Sequence, residues 1–130
     1  MIKFIGMINR REVNELYGKA RAGIVIYQPA QNHFEAQPIK MFEFMAAGLP
    51  VVASNFPLWK RILEDAECGI CVDPQNPEEV RDACLKLIHN PTLAEEMGHR
   101  GRKAVLEKYS WNSEKKSLID LYEELCGRVE

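Results

Sequence analysis

Short apolar runs that alternate with helical segments constrain this chain more than any other feature of its sequence. Four such runs are present, several of them rich in β-branched residues, at residues 2–6, 23–27, 50–54 and 69–73. Runs that are apolar on both faces are typical of buried parallel strands. Strands that alternate with helices imply right-handed crossovers within one parallel sheet. The sequence therefore predicts an α/β fold, a Rossmann-like parallel sheet of about four strands flanked by helices, with a helical C-terminal tail.

Helix start and stop signals separate these runs. The spacing predicts helices over residues 9–19, 38–47 and 57–64, with Asn9 as the cap of the first and a proline opening each of the other two. Proline suits the first turn because its missing N–H has no intrahelical acceptor there.

Three more helices are predicted after the last run. Asn76 caps the first, with Glu79 completing a capping box, and Asn90-Pro91 repeats the start signal. Ser110 caps the last, whose predicted inner face carries four large side chains: Leu118, Leu121, Tyr122 and Leu125.

Length and charge exclude several classes of protein. The 130 residues suit a single domain over residues 1–130. The formal net charge of -2 does not favour nucleic acid as a partner, since such domains are usually basic. Neither a signal peptide nor an apolar run of about 20 residues is present, so we expect a cytoplasmic protein.

The spacing of Cys68 and Cys71 invites a zinc or redox interpretation. Cys71 lies within the apolar run, however, and no further ligands follow at short spacing. We therefore interpret these cysteines as small core residues and predict no metal site.

The polar segment 28–37 is the first place to expect a ligand, because it leaves a central strand and enters a helix N-terminus. The following helix, PIKMFEFMAA, is apolar except for Lys40 and Glu43, which share one face. One interpretation is a helical ion pair at the surface. The other is that Glu43 accepts hydrogen bonds from ligand hydroxyls while Lys40 and the helix N-terminus face an anion. Ala47 lies on the same stripe and is small enough to leave room for an approaching group.

Residues 37–54, QPIKMFEFMAAGLPVVAS, resemble the signature of the family 4 (group 1) glycosyltransferases of the GT-B fold. Glu35 and Glu43, with seven residues between them, match the paired-glutamate motif of that family. The similarity extends to residues 3–27, 68–80 and 109–111, and so covers nearly the whole chain. The resemblance implies the C-terminal, donor-binding part of such an enzyme, without its N-terminal acceptor domain.

The resemblance also implies roles for individual residues. Glu43 would hold the ribose hydroxyls of a nucleotide-diphosphate sugar, and Glu35 would contact hydroxyls of the donor sugar. The backbone amides that would cradle sugar and phosphate belong to Ala36, Gln37, Ile39 and Lys40, since Pro38 has no N–H. The implied chemistry is retaining glycosyl transfer without a metal or other cofactor.

Two departures from the family pattern bear on function. Ala36-Gln-Pro38 replaces the commoner glycine-rich stretch, which bears mainly on the role of Glu35. The arginine and lysine that neutralise the diphosphate in the family come earlier than the first residue here. We therefore expect this chain alone to be inactive, to need the N-terminal domain as partner, and to form a homodimer through its uncovered surfaces.

Two rival functions are a non-catalytic Rossmann-like module that binds a nucleotide or a protein, and a GT-B sugar-nucleotide epimerase. The spacing of the two glutamates favours the transferase over both. Four other features have simpler interpretations: His33 and the basic run 100–103 as solvated, Trp59 and Trp111 as packing residues.

Overall fold

The structure, a computed structural model, describes residues 2–127. Three parallel strands form one sheet in the order β1 (Gly23–Val25), β2 (Val51–Ser54) and β3 (Gly69–Val72). Val51 lies opposite Gly23 on one side and Gly69 on the other. The predicted α/β fold with a parallel sheet is confirmed.

Seven helices surround or follow the sheet within the described residues: α1 (Arg10–Tyr17), α2 (Gln31–Phe34), α3 (Ile39–Ala46), α4 (Pro57–Asp65), α5 (Pro77–His89), α6 (Pro91–Lys108) and α7 (Trp111–Gly127). The one-turn α2 lies inside the segment that the sequence predicts to be a loop. Its four residues lack the periodic apolar pattern that identifies a helix in a sequence.

The first predicted strand, over residues 2–6, is wrong. Within residues 2–127 these residues pair with no strand, and Ile2 and Phe4 are 100% and 92% exposed. A strand is stabilised by a neighbour that accepts and donates its backbone hydrogen bonds, and no strand lies beside this segment. An apolar run alone therefore did not suffice to make a strand.

Side-chain capping follows the sequence at some helices and not at others. Asn9 caps α1 as predicted, and Glu12 completes a reciprocal capping box with it. Asn76 caps α5 as predicted, but Glu79 accepts from the Asp73 N–H at 2.9 Å instead of completing a box. Helix α6 begins at Pro91 after Asn90, as predicted, but the Asn90 side chain makes no cap hydrogen bond. Its amide donates instead to the Lys86 carbonyl at 2.7 Å, at the end of α5.

The central strand β2 is buried on both faces. Val51 and Ala53 belong to a cluster with α3 and α4, while Val52 faces a second cluster built from α5 and α6. Trp59 lies fully buried in the first cluster, so its prediction as a packing residue is confirmed. Trp111 is 67% exposed, and the same prediction for it is wrong.

Glycine allows α6 to pack directly on the end of α3. A Cβ at Gly98 would meet the carbonyl of Gly48, and a Cβ at Gly101 would lie 3.1 Å from that of Cys68. Gly48 itself has φ +74, a conformation that glycine adopts without strain. The close approach of α6 fixes the C-terminal end of α3 and so its position on the sheet.

The cysteines differ in burial. Cys68 is buried as predicted, and Cys71 is half-buried against the same core cluster. Cys84 is half-buried and Cys126 is exposed. Burial raises the pKa of Cys68 and of Cys71 to about 11, which keeps both thiols protonated at neutral pH. Between residues 2 and 127 no group of three or more His, Cys, Asp or Glu is placed to hold a metal ion.

The last helix, α7, is capped as predicted but not covered as predicted. The Ser110 hydroxyl and carbonyl both accept hydrogen bonds from Ser113. The four side chains of its predicted inner face are exposed by 41% to 62%. In the part of the chain that the structure describes, none of the helices could cross a membrane.

Candidate functional site

Glu43 lies on α3 with its carboxylate turned toward α1. Arg10 Nη1 donates to Oε1 at 2.9 Å, and the Tyr17 hydroxyl donates to Oε2 at 3.1 Å. Lys40 Nζ also donates to Oε2, at 2.9 Å. The helical pair between Lys40 and Glu43 is therefore present, and two groups from α1 complete the surroundings of the carboxylate.

Local capping stabilises α1, and an aromatic contact joins it to α3. The capping box of Asn9 and Glu12 stabilises its N-terminus, next to Arg10. At the other end, the Tyr17 ring packs edge-on against Phe44 of α3, with centroids 5.5 Å apart. Arg10 and Tyr17 thus belong to a capped helix whose C-terminal end contacts α3.

These contacts keep Glu43 ionised. Its pKa is lowered from 4.5 to about 2, chiefly by the hydrogen bonds from Lys40 and Arg10, with a smaller contribution from Tyr17 and against the desolvation of a half-buried group. The same contacts raise the pKa of Arg10 and Lys40. At neutral pH the carboxylate is therefore a pure hydrogen-bond acceptor.

The carboxylate retains some capacity for a ligand. An ionised carboxylate offers about four acceptor positions, and three are occupied here. Oε1 has a single protein donor, so it can accept one ligand hydroxyl directly. A second hydroxyl on Oε2 requires one of the present donors to leave.

A cavity of about 220 Å³ adjoins Glu43 between α1 and α3. Two alanines line it, Ala46 and Ala47, consistent with the prediction that Ala47 leaves room for an approaching group. The lining residues are Arg10, Asn14, Tyr17, Glu43, Ala46 and Ala47.

Glu35 lies elsewhere on the surface. It follows α2, is exposed, and lines a second cavity, of about 430 Å³, together with Phe34, Leu58 and Arg61. Glu43 does not line that cavity. The two glutamates of the predicted motif have the sequence spacing of the family but line different cavities.

The candidate anion cradle surrounds the N-terminus of α3. Ile39 and Lys40 begin the helix, where backbone N–H groups lack intrahelical acceptors, and no side chain caps this end. Ala36 is half-buried, and its carbonyl accepts a hydrogen bond from the fully buried Trp59 indole at 2.6 Å. This bond fixes the segment before α3 to the core. Gln37, which follows Ala36 in the chain, is exposed.

Two side chains fix the backbone at Tyr27 and Gln28, where the segment that leads to α3 begins. The sequence did not indicate this role for either. The fully buried Ser54 hydroxyl accepts from the Tyr27 N–H and donates to the Tyr27 carbonyl, both at 2.9 Å. His33 Nδ1 lies 2.8 Å from the Gln28 carbonyl, and its ring packs against Tyr27. His33 is therefore half-buried and bonded, unlike the solvated histidine that the sequence predicts.

Arg10 and Tyr17 were missed as site residues. A signal for Tyr17 was available, because a tyrosine on the apolar face of a helix usually needs a partner for its hydroxyl. No comparable signal identifies Arg10, whose neighbour Arg11 carries the same charge and pairs instead with Glu15 at 3.2 Å.

Comparison with known proteins places the chain in a family. Residues 1–104 match the family model of the glycosyl transferases group 1. A phosphatidyl-myo-inositol mannosyltransferase of Mycobacterium leprae is 32% identical over 124 residues, which are 94% of this chain and 31% of that protein. An uncharacterised glycosyltransferase of Methanocaldococcus jannaschii is 29% identical over 98% of this chain and 32% of that protein.

A solved structure agrees with these sequence matches. Sucrose-phosphate synthase from Thermosynechococcus elongatus, of the GT-B type, superposes with a TM-score of 0.83 and 25% identity. The superposition covers 97% of this chain and 30% of that one. The chain spans about a third of the length of the relatives that it matches. It belongs to the glycosyl transferases group 1 family and has the fold of a GT-B domain.

Proposed function

We propose that this chain is the donor-binding part of a glycosyltransferase and binds a nucleotide-diphosphate sugar. The observation that carries the proposal is the Glu43 carboxylate, which is ionised, oriented by three donors and adjacent to a cavity. A carboxylate in this state suits a ribose hydroxyl, which needs an acceptor.

The remaining contacts with the donor come from the segment before α3 and from its first turn. The backbone amides of Ala36, Gln37, Ile39 and Lys40 bind diphosphate and sugar oxygens, aided by the positive end of the helix dipole. Glu35 accepts from hydroxyls of the donor sugar. Because Glu35 and Glu43 face different cavities, a donor that contacts both must extend across the N-terminus of α3.

The reaction of the parent protein is hexosyl transfer with retention of the anomeric configuration and without a metal. The bond between the anomeric carbon and the diphosphate oxygen breaks, and the diphosphate leaves with the electron pair. A new bond forms to an acceptor oxygen, which loses its proton. Since this chain covers about a third of its relatives, we assign the acceptor site to an N-terminal domain of the parent and expect this chain alone to transfer no sugar. Its cytoplasmic location stays a prediction.

Calorimetry tests the donor assignment. UDP, GDP and ADP are titrated in turn into the wild-type chain and into the variants Glu43→Gln and Glu35→Gln. We expect Glu43→Gln to weaken binding of the preferred nucleotide by about 1–3 kcal/mol, the value of a hydrogen bond to a charged acceptor. Glu35→Gln should have little effect on binding of the bare nucleotide and a larger effect when the corresponding nucleotide sugar is titrated in its place.

The surface acid Glu107 supplies a matched control, because it lies on α6 outside both cavities and pairs with Lys103. Glu107→Gln removes the same charge and should leave affinity unchanged. Equal affinity of the wild type and Glu43→Gln would contradict the assignment. Sugar transfer by this chain alone would contradict the division of roles between the two domains.

We also propose that the chain on its own forms a homodimer through α7. Four exposed apolar side chains lie along this helix, and a second copy presents the same stripe for a two-fold contact. In the parent protein the same stripe would pack against another part of that protein. Light scattering at micromolar concentration should give the mass of a dimer, and replacing Leu118 and Leu125 by glutamine should give a monomer. A wild-type monomer would contradict the proposal.

A further inference from the structure

We infer that Arg10 and Tyr17 are positioning residues for Glu43, so that α1 forms part of the donor site. This inference rests on the proposed function of Glu43 and names the residues on which that function depends.

The three donors to Glu43 differ in how they come to be there. Lys40 is three residues away on the same helix, so its contact needs only local structure. Arg10 and Tyr17 lie 33 and 26 residues earlier in the chain. Their contacts with the carboxylate therefore exist only when α1 packs on α3.

The contacts from α1 fix the plane of the carboxylate. Lys40 alone would hold one oxygen and leave the group free to rotate about the bond to its carboxyl carbon. Arg10 holds Oε1 while Tyr17 holds Oε2, so both oxygens have a fixed position. A ligand hydroxyl then meets an acceptor whose direction is already set, which lowers the entropic cost of binding.

The cavity at this site connects the same residues. Arg10, Tyr17 and Glu43 all line the space of about 220 Å³ between α1 and α3. A hydroxyl group in that space can bind the open acceptor position on Oε1 without displacing a protein donor. Arg10 can therefore orient the carboxylate while a ligand binds it. If so, removing Arg10 should weaken ligand binding, whereas it would strengthen binding if Arg10 competed with the ligand for Oε1.

The charged and titratable groups around Glu43 make the test specific. They are Arg10 and Tyr17 from α1 and Lys40 from α3. Arg10→Met removes the charge and its hydrogen bond, and Arg10→Lys keeps the charge. Tyr17→Phe removes the hydroxyl but keeps the ring against Phe44. Arg11→Met is the matched control, because Arg11 is the adjacent arginine and pairs with Glu15.

Two measurements on the 130-residue chain decide the question. Carbon-13 NMR of the glutamate carboxyl groups reports the titration of Glu43, and calorimetry with UDP, GDP and ADP reports nucleotide binding. Arg10→Met should raise the pKa of Glu43 by about one unit. It should also weaken binding of the preferred nucleotide about threefold at pH 7.

Tyr17→Phe should also weaken nucleotide binding. Arg10→Lys should lose less affinity than Arg10→Met, and Arg11→Met should change neither the nucleotide affinity nor the pKa of Glu43. Unchanged or tighter binding in both Arg10→Met and Tyr17→Phe would overturn the inference, since positioning requires a loss. If Glu43→Gln weakens binding while these variants do not, only the positioning role fails. If Glu43→Gln has no effect, or the wild type binds none of the three nucleotides, the proposed function itself is wrong.

Discussion

Helices α3 and α7 both carry large apolar side chains at helical spacing, but their surroundings are opposite. In α3, Met41 and Met45 are completely buried against the sheet and α6. In α7, Leu121 and Leu125 are 51% and 52% exposed. Periodicity therefore identifies which face of a helix is apolar, but it does not determine whether that face is covered.

The difference has a physical cause in the neighbours of each helix. Gly48 ends α3, and Gly98 lets α6 approach it at backbone distance. No glycine of α7 makes a comparable approach, since a Cβ added at Gly127 would meet nothing within 4 Å. Burial of an apolar face thus depends on another element of the chain that can pack closely against it.

The largest expected effect is a truncation in α3. Met45→Ala should lower the free energy of unfolding by about 2–5 kcal/mol, because it removes a fully buried side chain and leaves a cavity. Urea unfolding followed by circular dichroism measures the change. A loss below about 1 kcal/mol would mean that α3 is not part of the stable core.

A smaller effect is expected where α3 and α6 meet. Gly98→Ala should lower the free energy of unfolding by about 1–3 kcal/mol, because the new methyl group clashes with the Gly48 carbonyl, which cannot rotate away. Gly101→Ala is the matched control in the same helix, with its nearest contact at 3.1 Å, and should cost less. A larger loss in Gly101→Ala than in Gly98→Ala would contradict the close approach of Gly98 to the Gly48 carbonyl.

The pH dependence of the free energy of unfolding isolates the contribution of Glu43 from that of the buried side chains of α3. Its pKa is about 2 in the folded chain and near 4.5 in the unfolded one, so its stabilising contribution is present above pH 4.5 and is lost as the pH falls toward 2. The free energy of unfolding of the wild type should therefore decline by about 1 kcal/mol more over this range than that of Glu43→Gln, the full shift being reduced by solvent screening. Parallel declines in the two proteins would show that the contacts with Arg10 and Lys40 contribute nothing to stability in solution.

The smallest effect is expected in α7. Leu121→Ala in the monomeric chain should change the free energy of unfolding by no more than about 0.5 kcal/mol, since half of the side chain is already in contact with water. The same urea experiment measures it, at a concentration below that of any self-association. A loss comparable to that of Met45→Ala would show that α7 folds back onto the domain, and the contrast between the two helices would disappear.

Sequence alone determined the alternation of buried strands and helices, and with it the parallel α/β fold. Val51 and Val52 in β2 show why, since a strand apolar on both faces has few other places to lie. The sequence also placed Glu43 in an apolar helix beside Lys40, because both positions follow from helical spacing. Resemblance to the family then predicted roles for residues that no periodicity contains, and these roles stay predictions.

Only the tertiary structure decided which groups meet Glu43 and which surfaces stay open. Arg11 pairs with Glu15 through local helical spacing, but only the packing of α1 on α3 brings Arg10 to Glu43. Residues 2–6 and α7 carry apolar side chains that the structure leaves exposed. In each case the outcome depends on a contact between residues far apart in the chain, and local propensity contains no information about such contacts.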